Sequence, residues 1–325
     1  MMQPYEPLQV TPVITRSLVA LASAAGLVSR RDFLYQQVLV KLRSQGSKEW
    51  EYSIFGSDAP NTIYQVARRE VDIAMINPSG MLTAAYRGKG PFKKAIPVRT
   101  IAVIPSLDWL GFAVHESTRL TSLADVKSQE YPLHVSLRAQ RNHSVHKYIQ
   151  KVLNVYGFSL TDILKWGGKV SYDEGMPMGE QRVAKVKKGK VNAVFDEALT
   201  RFIPLAVDMG MRFLPLEEAV LRQMEEIGFR RSTIRQKDFP MLHADVPALD
   251  FSGWPIYTHA KVSAEFIYDF CRALDTFKYM TKLQQPGEQP HALPLEDMCR
   301  DTPAGPLDVP LHKGAKDYWR DAGYL

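Results

Sequence analysis

The sequence is poor in the residues that build dedicated reaction chemistry. Its two cysteines, Cys271 and Cys299, lie far apart and in no CxxC pattern. Sequence alone does not say whether the two meet; the reading is two reduced thiols and no disulfide framework, with Cys271 buried on a helix. The eight histidines are scattered. The closest pair, His143 and His146, has no acidic or cysteine neighbour to complete a metal set. Nothing calls for a cofactor. No apolar run reaches the ~20 residues of a membrane-spanning helix, and Ser17–Val28 is the longest candidate. A helix-turn-helix and a basic recognition helix are both missing, which argues against a nucleic-acid partner. There is no internal repeat.

What remains is an ordinary globular composition: 325 residues, 45% hydrophobic and 23% charged, with a formal charge of +6. This length suits two domains or one large α/β domain. A mild basic excess, if dispersed, suits an anionic small ligand. The one dense basic run, Lys185–Lys190 (KVKKGK), reads as a solvated helix end whose cations complement the helix C-terminus. Near the N-terminus, SRRDFL at Ser29–Leu34 has the twin-arginine look of an export signal, but the amphipathic YQQVLVKLRS follows it instead of an apolar run. The expectation is therefore a buried first strand at Ile14–Ala24 and a first helix at Val28–Leu42. As it stands the chain reads as cytoplasmic, and as periplasmic if a signal has been removed.

Strands and helices alternate from there on. Trp50–Phe55 reads as a strand, followed by a helix that starts at Ser57 or Asp58 and tolerates Pro60 in its first turn. Val71–Ile76 (VDIAMI) is nearly all apolar, the pattern of a strand covered on both faces. Thr100–Pro105 and Trp109–His115 are further strands, and Thr121 or Ser122 caps a short helix after them. Tyr131–Arg138 and Val191–Phe195 read as strands, with an amphipathic helix over Ser144–Tyr156. Phe229–Asp250 looks irregular. Phe251–His259 looks like a strand that Pro255 confines to an edge or a bulge, and Ser263–Leu283 is the longest helix. Two similar sets of elements emerge. The expected architecture is α/β with two lobes: 1–115 plus 251–325 in lobe one, 116–250 in lobe two, and a hinge near His115 and Trp254.

Candidate site residues fall on the strand-to-helix turns, because ligands of parallel α/β folds bind at the carboxyl ends of strands. One wall would be Ser57, Asp58, Asn77 and Ser79, small polar groups beside helix N-terminal amides. Asp58 would repel a carboxylate, so it caps or meets a hydroxyl or amine. The opposite wall would be the turn carrying Arg138, Arg141, Asn142, His143 and Ser144, whose arginines can bind a carboxylate bidentately. Asp196 ends a strand and can hold a ligand amine or hydroxyl, or cap the next helix. Trp254 can stack on a planar ligand at the hinge or pack between lobes, with Tyr257 and His259 as weaker candidates.

The segment GSDAPNTIYQVARREVDIAMINPSGMLTAAYRGKGPF resembles the solute-binding subunits of TRAP transporters of the TAXI group, which carry a Gly-Ser turn, a helix, an acidic-apolar strand and an AYxGxGxF motif. VRTIAVIP, STRLTSLADVK, NAVFDEAL, FSGWPIYTHAKVSAEFIYDFCRAL and the closing PLHKGAKDYWRDAGYL keep the family's order from Ser53 to Leu325. The resemblance implies a periplasmic-binding-protein-like fold of the second type, a small carboxylate-like ligand between two lobes, and a TRAP membrane permease as partner. Two places depart from the pattern. ASAAGLVSRRDFLYQQ stands where the family has a Gly/Thr-rich loop, and Arg141-Asn142-His143-Ser144 stands where it has a GSGT-like turn.

Two function classes follow. The first is a binding protein that closes on a small anionic, possibly aromatic, solute held by Ser57, Asn77, Ser79, Arg138, Arg141, Asn142, Ser144, Asp196 and Trp254. The second is a cytosolic enzyme on the same fold, decarboxylase- or lyase-like, in which the arginines position a carboxylate and His143, Asp58 or Asp196 moves a proton. A ligand sensor that passes closure to a protein partner shares the fold and ligand of the first.

Overall fold

The computed structural model describes residues 37–44, 50–57, 59–276, 278 and 292–325. The expected strand at Ile14–Ala24 and the site candidate Asp58 lie outside them. Strand β1 (Gln37–Ser44) pairs antiparallel with β2 (Trp50–Ser57) along its whole length. This corrects the helix expected over Val28–Leu42, whose last residues are in β1. The amphipathic pattern yields to the open edge of β2, which would otherwise leave a row of backbone donors and acceptors unpaired.

Helix α1 (Asn61–Ala67) leads to β3 (Ile73–Met75), and α2 (Ser79–Arg87) leads to β4 (Val98–Ile104). The chain then enters a second sheet through β5 (Trp109–His115), α3 (Leu123–Ser128), β6 (His134–Arg138), α4 (Ser144–Val155), α5 (Leu160–Lys165) and β7 (Lys169–Asp173). It continues through α6 (Glu180–Lys187), β8 (Ala193–Asp196), α7 (Leu199–Asp208), β9 (Met211–Phe213), α8 (Glu218–Glu226), β10 (Arg231–Ile234) and β11 (Val246–Asp250). Strand β12 (Trp254–His259) returns it to the first sheet, followed by α9 (Ala264–Thr276), α10 (Leu295–Met298) and α11 (Lys313–Asp321).

The first sheet has the order β1-β2-β3-β12-β4, and the second β10-β11-β5-β8-β6-β7 with β9 also on β5. The fold is thus two mixed α/β lobes joined by two crossings, the two-lobed plan of periplasmic-binding-protein-like folds of the second type. The first crossing lies at 105–108, before β5 and not after His115, because β5 pairs with β8, β9 and β11 of the second sheet. The second lies at 251–253. Phe229–Asp250, expected to be irregular, contains the antiparallel pair β10–β11.

Pro255 does not put β12 on an edge. The strand is central, between β3 and β4, and its register shifts between Ile256 and Tyr257. A bulge beside the proline accommodates the missing N–H, while the Pro255 carbonyl still accepts from the Ile76 amide at 3.3 Å. Ser122 is the cap of α3: its hydroxyl accepts from the Asp125 amide and the Asp125 carboxylate answers at the Ser122 amide, a reciprocal capping box. One apolar core packs Ile73, Ile101, Ile267 and Trp319 between the first sheet and its helices. Cys271 and Cys299 are buried there as free thiols. A larger core runs from Ile63, Ala74 and Met81 in the first lobe to Phe112, Val135 and Tyr148 in the second, so the lobes share buried apolar contact. No helix among the described residues is long and apolar enough to cross a membrane.

Candidate functional site

The two crossings are hydrogen-bonded to each other. The Asp108 carbonyl accepts from the Phe251 amide at 2.9 Å and from the Ser252 hydroxyl at 3.1 Å, and the Gly253 amide donates to the Ser106 carbonyl at 3.0 Å. This is the geometry of a hinge, two adjacent strips of chain that the lobes share. From the first lobe, the segment before α2 docks onto the second strip. The Asn77 side-chain amide donates to the Gly253 carbonyl at 3.1 Å, and the Ser79 amide donates to the Ser252 carbonyl at 3.0 Å.

From the second lobe, α4 brings Tyr148 against the start of α2. A methyl group on Gly80 would stand 2.5 Å from the Tyr148 hydroxyl, so only glycine lets the lobes approach this closely. Gly228, at φ +99°, makes a second close approach: a Cβ there would lie 3.1 Å from the Ala84 amide nitrogen of α2. Tyr148 stacks on Phe229, with ring centroids 3.8 Å apart, and meets Phe251 edge-on at 5.1 Å. The His143 ring lies parallel to Phe251 at 6.3 Å.

Two hydroxyls from opposite lobes meet this junction without a hydrogen-bond partner. Ser79 Oγ and the Tyr148 OH are 3% and 0% exposed as residues, and neither is bonded among the described residues. A buried hydroxyl without a partner forfeits roughly 1–3 kcal/mol. Native chains rarely carry such groups without a reason. Burial, with Asp250 and Asp308 nearby, raises the Tyr148 pKa well above its ordinary value, so the hydroxyl stays protonated and available to donate.

Behind the junction lies a buried charge network. Arg138 bonds Asp196 through Nε at 3.1 Å and is ion-paired with Glu197. Arg182 pairs with the other oxygen of Asp196 and donates to the Ser136 hydroxyl at 3.1 Å. Burial works to raise the Asp196 pKa, but Arg138 and Arg182 prevail and hold it low. The Glu197 pKa is driven well up by burial, and its carboxyl shares a hydrogen bond with Asp108. Asp108 is also raised by burial, and its carboxylate caps α7 by accepting from the Ala198 and Leu199 amides at 2.6 and 2.9 Å.

The structure separates the residues proposed from sequence. Asn77 and Ser79 sit at the junction. Ser57 is buried, and its hydroxyl accepts from the Ala59 amide at 3.1 Å. Arg138 and Asp196 are bonded to each other inside the second lobe. Arg141 is exposed and its guanidinium lies 3.1 Å from the centroid of the Tyr172 ring. Asn142 is half-buried in the same turn, and Ser144 is buried at the first position of α4. His143 is the N-cap of α4: Nδ1 accepts from the Val145 amide at 3.1 Å, and Nε2 lies 3.4 Å from Arg138. Burial lowers its pKa well below the ordinary value, keeping it neutral. Trp254 is half-buried opposite Ile104, beside the second crossing.

Sequence reasoning passed over Tyr148, Phe229, Phe251, Gly80 and the acids Asp108, Glu197 and Asp250. Tyr148 is three residues after Val145, on the apolar face of α4, so periodicity alone makes it a core residue. Among the described residues no group of three or more His, Cys, Asp or Glu is arranged to hold a metal.

Comparison with known proteins gives one match in sequence and several in structure. A family profile described as the NMT1-like family matches residues 38–323. No curated protein matches the chain. Among solved structures, the chain is similar to the glycine betaine/L-proline-binding protein of an ABC transporter from Borrelia burgdorferi, at 11% identity and a TM-score of 0.38. That match covers 66% of each chain, just under two thirds of the relative's length. An ABC-transporter choline-binding protein in complex with choline is similar at 13% identity and a TM-score of 0.38, covering 81% of this chain and 75% of that one. Lactococcal OpuAC, closed on glycine betaine, is similar at 12% identity and a TM-score of 0.37, covering 81% of both chains.

Proposed function

The chain belongs to the NMT1-like family, and from that premise we propose that it is a solute-binding protein whose two lobes close on a small carboxylate-bearing molecule. The lobes are the described residues of 37–104 with those of 254–325, and 109–250, hinged at the two crossings. The observation that carries the reading is that Ser79 Oγ, close to Gly253 of the second crossing, and the Tyr148 OH of the other lobe, close to Gly80, are both buried at the start of α2 and without partners among the described residues. A carboxylate there gains two hydroxyl donors and the positive end of a nine-residue helix. Opening about the hinge admits the solute, and closure completes its hydrogen bonds.

The finer reading is a TAXI-type subunit of a TRAP transporter, with a membrane permease that engages the closed form. A proton-transfer role finds little support in this geometry, since His143 caps a helix and Arg138 and Asp196 satisfy each other.

Thermal-shift screening against small carboxylates tests the proposal. A ligand at about 100 times its Kd stabilises a protein by roughly 2.7 kcal/mol if it binds only the native state. At least one member of a broad panel should raise the melting temperature, with the gain reduced in Ser79→Ala and Tyr148→Phe. A silent panel refutes the reading. So does a hit whose effect both substitutions leave untouched.

A further inference from the structure

A seam between the two lobes carries positive charge on both of its walls. Two cavities open along it, of 270 and 140 Å³, and Phe229 is a wall of both. The larger takes Gly90 and Pro91 from the first lobe, and Lys147, Gln150, Lys151 and Asn154 from the second. The smaller takes Arg87 and Asp308 from the first lobe, and Glu225 and Arg230 from the second. Sharing a wall, they form one elongated groove.

The four residues of α4 in this groove fall at i, i+3, i+4 and i+7, so they make a single exposed stripe, while Tyr148, Ile149, Val152 and Leu153 of the same helix are buried. Lys147 and Lys151 stand one turn apart, an arrangement that destabilises a helix by repulsion unless an anion answers it. The turn after α2 supplies the other wall. It carries Lys89, Lys93 and Lys94, all exposed, and is closed by the Phe92 amide donating to the Lys89 carbonyl at 3.0 Å. None of these lysines makes an ion pair among the described residues.

The acids of the groove are already taken. Asp308 answers Arg230 through bonds of 2.8 and 2.7 Å, and Glu225 answers Arg231 at 2.8 and 2.6 Å. Arg87 reaches only a carbonyl, that of Glu225 at 3.5 Å, and has no ion pair among the described residues. The charge left over is therefore positive from both lobes. Like charges resist being brought together, and an anion laid between them turns the same charges into a link.

Shape and chemistry choose among anions. An elongated groove along a helix stripe suits an extended chain better than a compact ion. Gln150 and Asn154 each offer a donor and an acceptor, which is what a peptide backbone needs; a phosphate or a lipid headgroup would use the donors alone. Pro91 is the one exposed apolar side chain in the lining among the described residues, so the groove has little to insert into a bilayer.

We propose that this seam is a docking groove for an extended acidic segment of a protein partner, its carboxylates meeting Lys147, Lys151 and Arg87 and its backbone meeting the side-chain amides of Gln150 and Asn154. Because the walls belong to different lobes, the groove is complete only while the lobes are together, and the segment reads the closed form. That link to closure rests on the solute-binding reading above; the groove itself does not.

The test is fluorescence anisotropy on the full chain with a labelled Glu-Gly repeat peptide, against the matching Gln-Gly peptide. The acidic peptide should bind at low salt and the neutral one should not. Lys147→Gln with Lys151→Gln should weaken it about tenfold. Lys187→Gln with Lys188→Gln removes the same charge at the end of α6 and should leave it within about twofold. If the two double variants weaken it equally, the peptide follows net charge alone and the groove is refuted. It is refuted too if neither peptide binds. If free citrate or pyrophosphate binds as tightly as the peptide, the seam is a small-anion site and the protein partner is refuted. A carboxylate that raises the melting temperature should tighten the peptide several-fold; equal affinity with and without it severs the groove from closure. If the peptide binds as described while the carboxylate panel stays silent, the solute-binding reading falls and the groove stands.

Discussion

Arg230 is the residue whose removal should most directly change how the lobes sit. It precedes β10 in the second lobe, and its guanidinium grips Asp308 through two bonds of 2.8 and 2.7 Å and Asp301 through one of 2.9 Å. Both acids belong to the C-terminal segment that packs on the first sheet, where the Thr100 amide donates to the Pro310 carbonyl at 3.1 Å. Asp308 also accepts from the Thr83 hydroxyl at 3.4 Å, which ties the clasp to α2. The side chain is 33% exposed, so solvent screens it in part. A bidentate charge-assisted pair exceeds the ~0–1 kcal/mol of an exposed ion pair but falls short of a buried one, and about 2 kcal/mol is a fair value for the clasp. Because these bonds join the lobes, the loss falls on closure: Arg230→Ala should shift the closed-to-open ratio by about 30-fold. Small-angle scattering should show a larger radius of gyration, and solute affinity should fall by up to the same factor. Arg230→Lys keeps the charge but not the fork and should lose about half the free energy. High salt should narrow the difference between wild type and variant. An unchanged radius and unchanged affinity in Arg230→Ala would show that the clasp does not hold the lobes together.

Three further outcomes follow from the same geometry. Gly80→Ala places a methyl group 2.5 Å from the Tyr148 OH, an overpacking of about 1–3 kcal/mol that falls on the closed form; solute affinity measured by calorimetry should drop by about 5- to 150-fold with little loss of global stability. Arg138→Met strands the carboxylates of Asp196 and Glu197 in the interior and should cost about 3–5 kcal/mol in urea unfolding; a variant of wild-type stability that merely fails to bind would restore the role first expected for this arginine. Asp250 has its pKa raised to about 6 by burial, so the folded chain holds a proton that the unfolded chain releases near pH 4. Stability relative to Asp250→Asn should therefore fall as pH rises from about 4 to about 6 and stay lower above that, by about 2–3 kcal/mol. Parallel stability curves for the two proteins would rule out a carboxyl whose titration burial has shifted.

Much of the scaffold was legible because local pattern and tertiary demand coincide. VDIAMI is apolar but for Asp72, and Ile73 and Ala74, on opposite faces of β3, are both fully buried. The Ser122–Asp125 spacing is a capping box, and α3 begins there. The reading failed where the tertiary partner decides. QVLVKLRS has helical amphipathicity, yet it forms β1 because an open strand edge lies across a short connection. Pro255 argued for an edge or a bulge, and only the pairing with β3 and β4 shows that it is the bulge, in a central strand. Asn77 and Ser79 could be placed on a strand-to-helix turn from sequence, but their bonds to the Gly253 and Ser252 carbonyls could not. Arg138 and Asp196 looked equally available, and no local signal marks that the two are bonded to each other.

The order and spacing of the strand–turn–helix units by themselves determined the two-lobed α/β plan and the turns at which a ligand could sit. Those features depend on residues within about a dozen positions of one another, as do helix caps and strand periodicity. Only the tertiary structure decided the charge pairing at the cleft, the ring series of Phe229, Tyr148 and Phe251, and the approach of Tyr148 to Gly80. Each of those joins residues from distant parts of the chain. Which partner a buried charge meets depends on side chains brought from distant positions, as Asp196 between Arg138 and Arg182 shows.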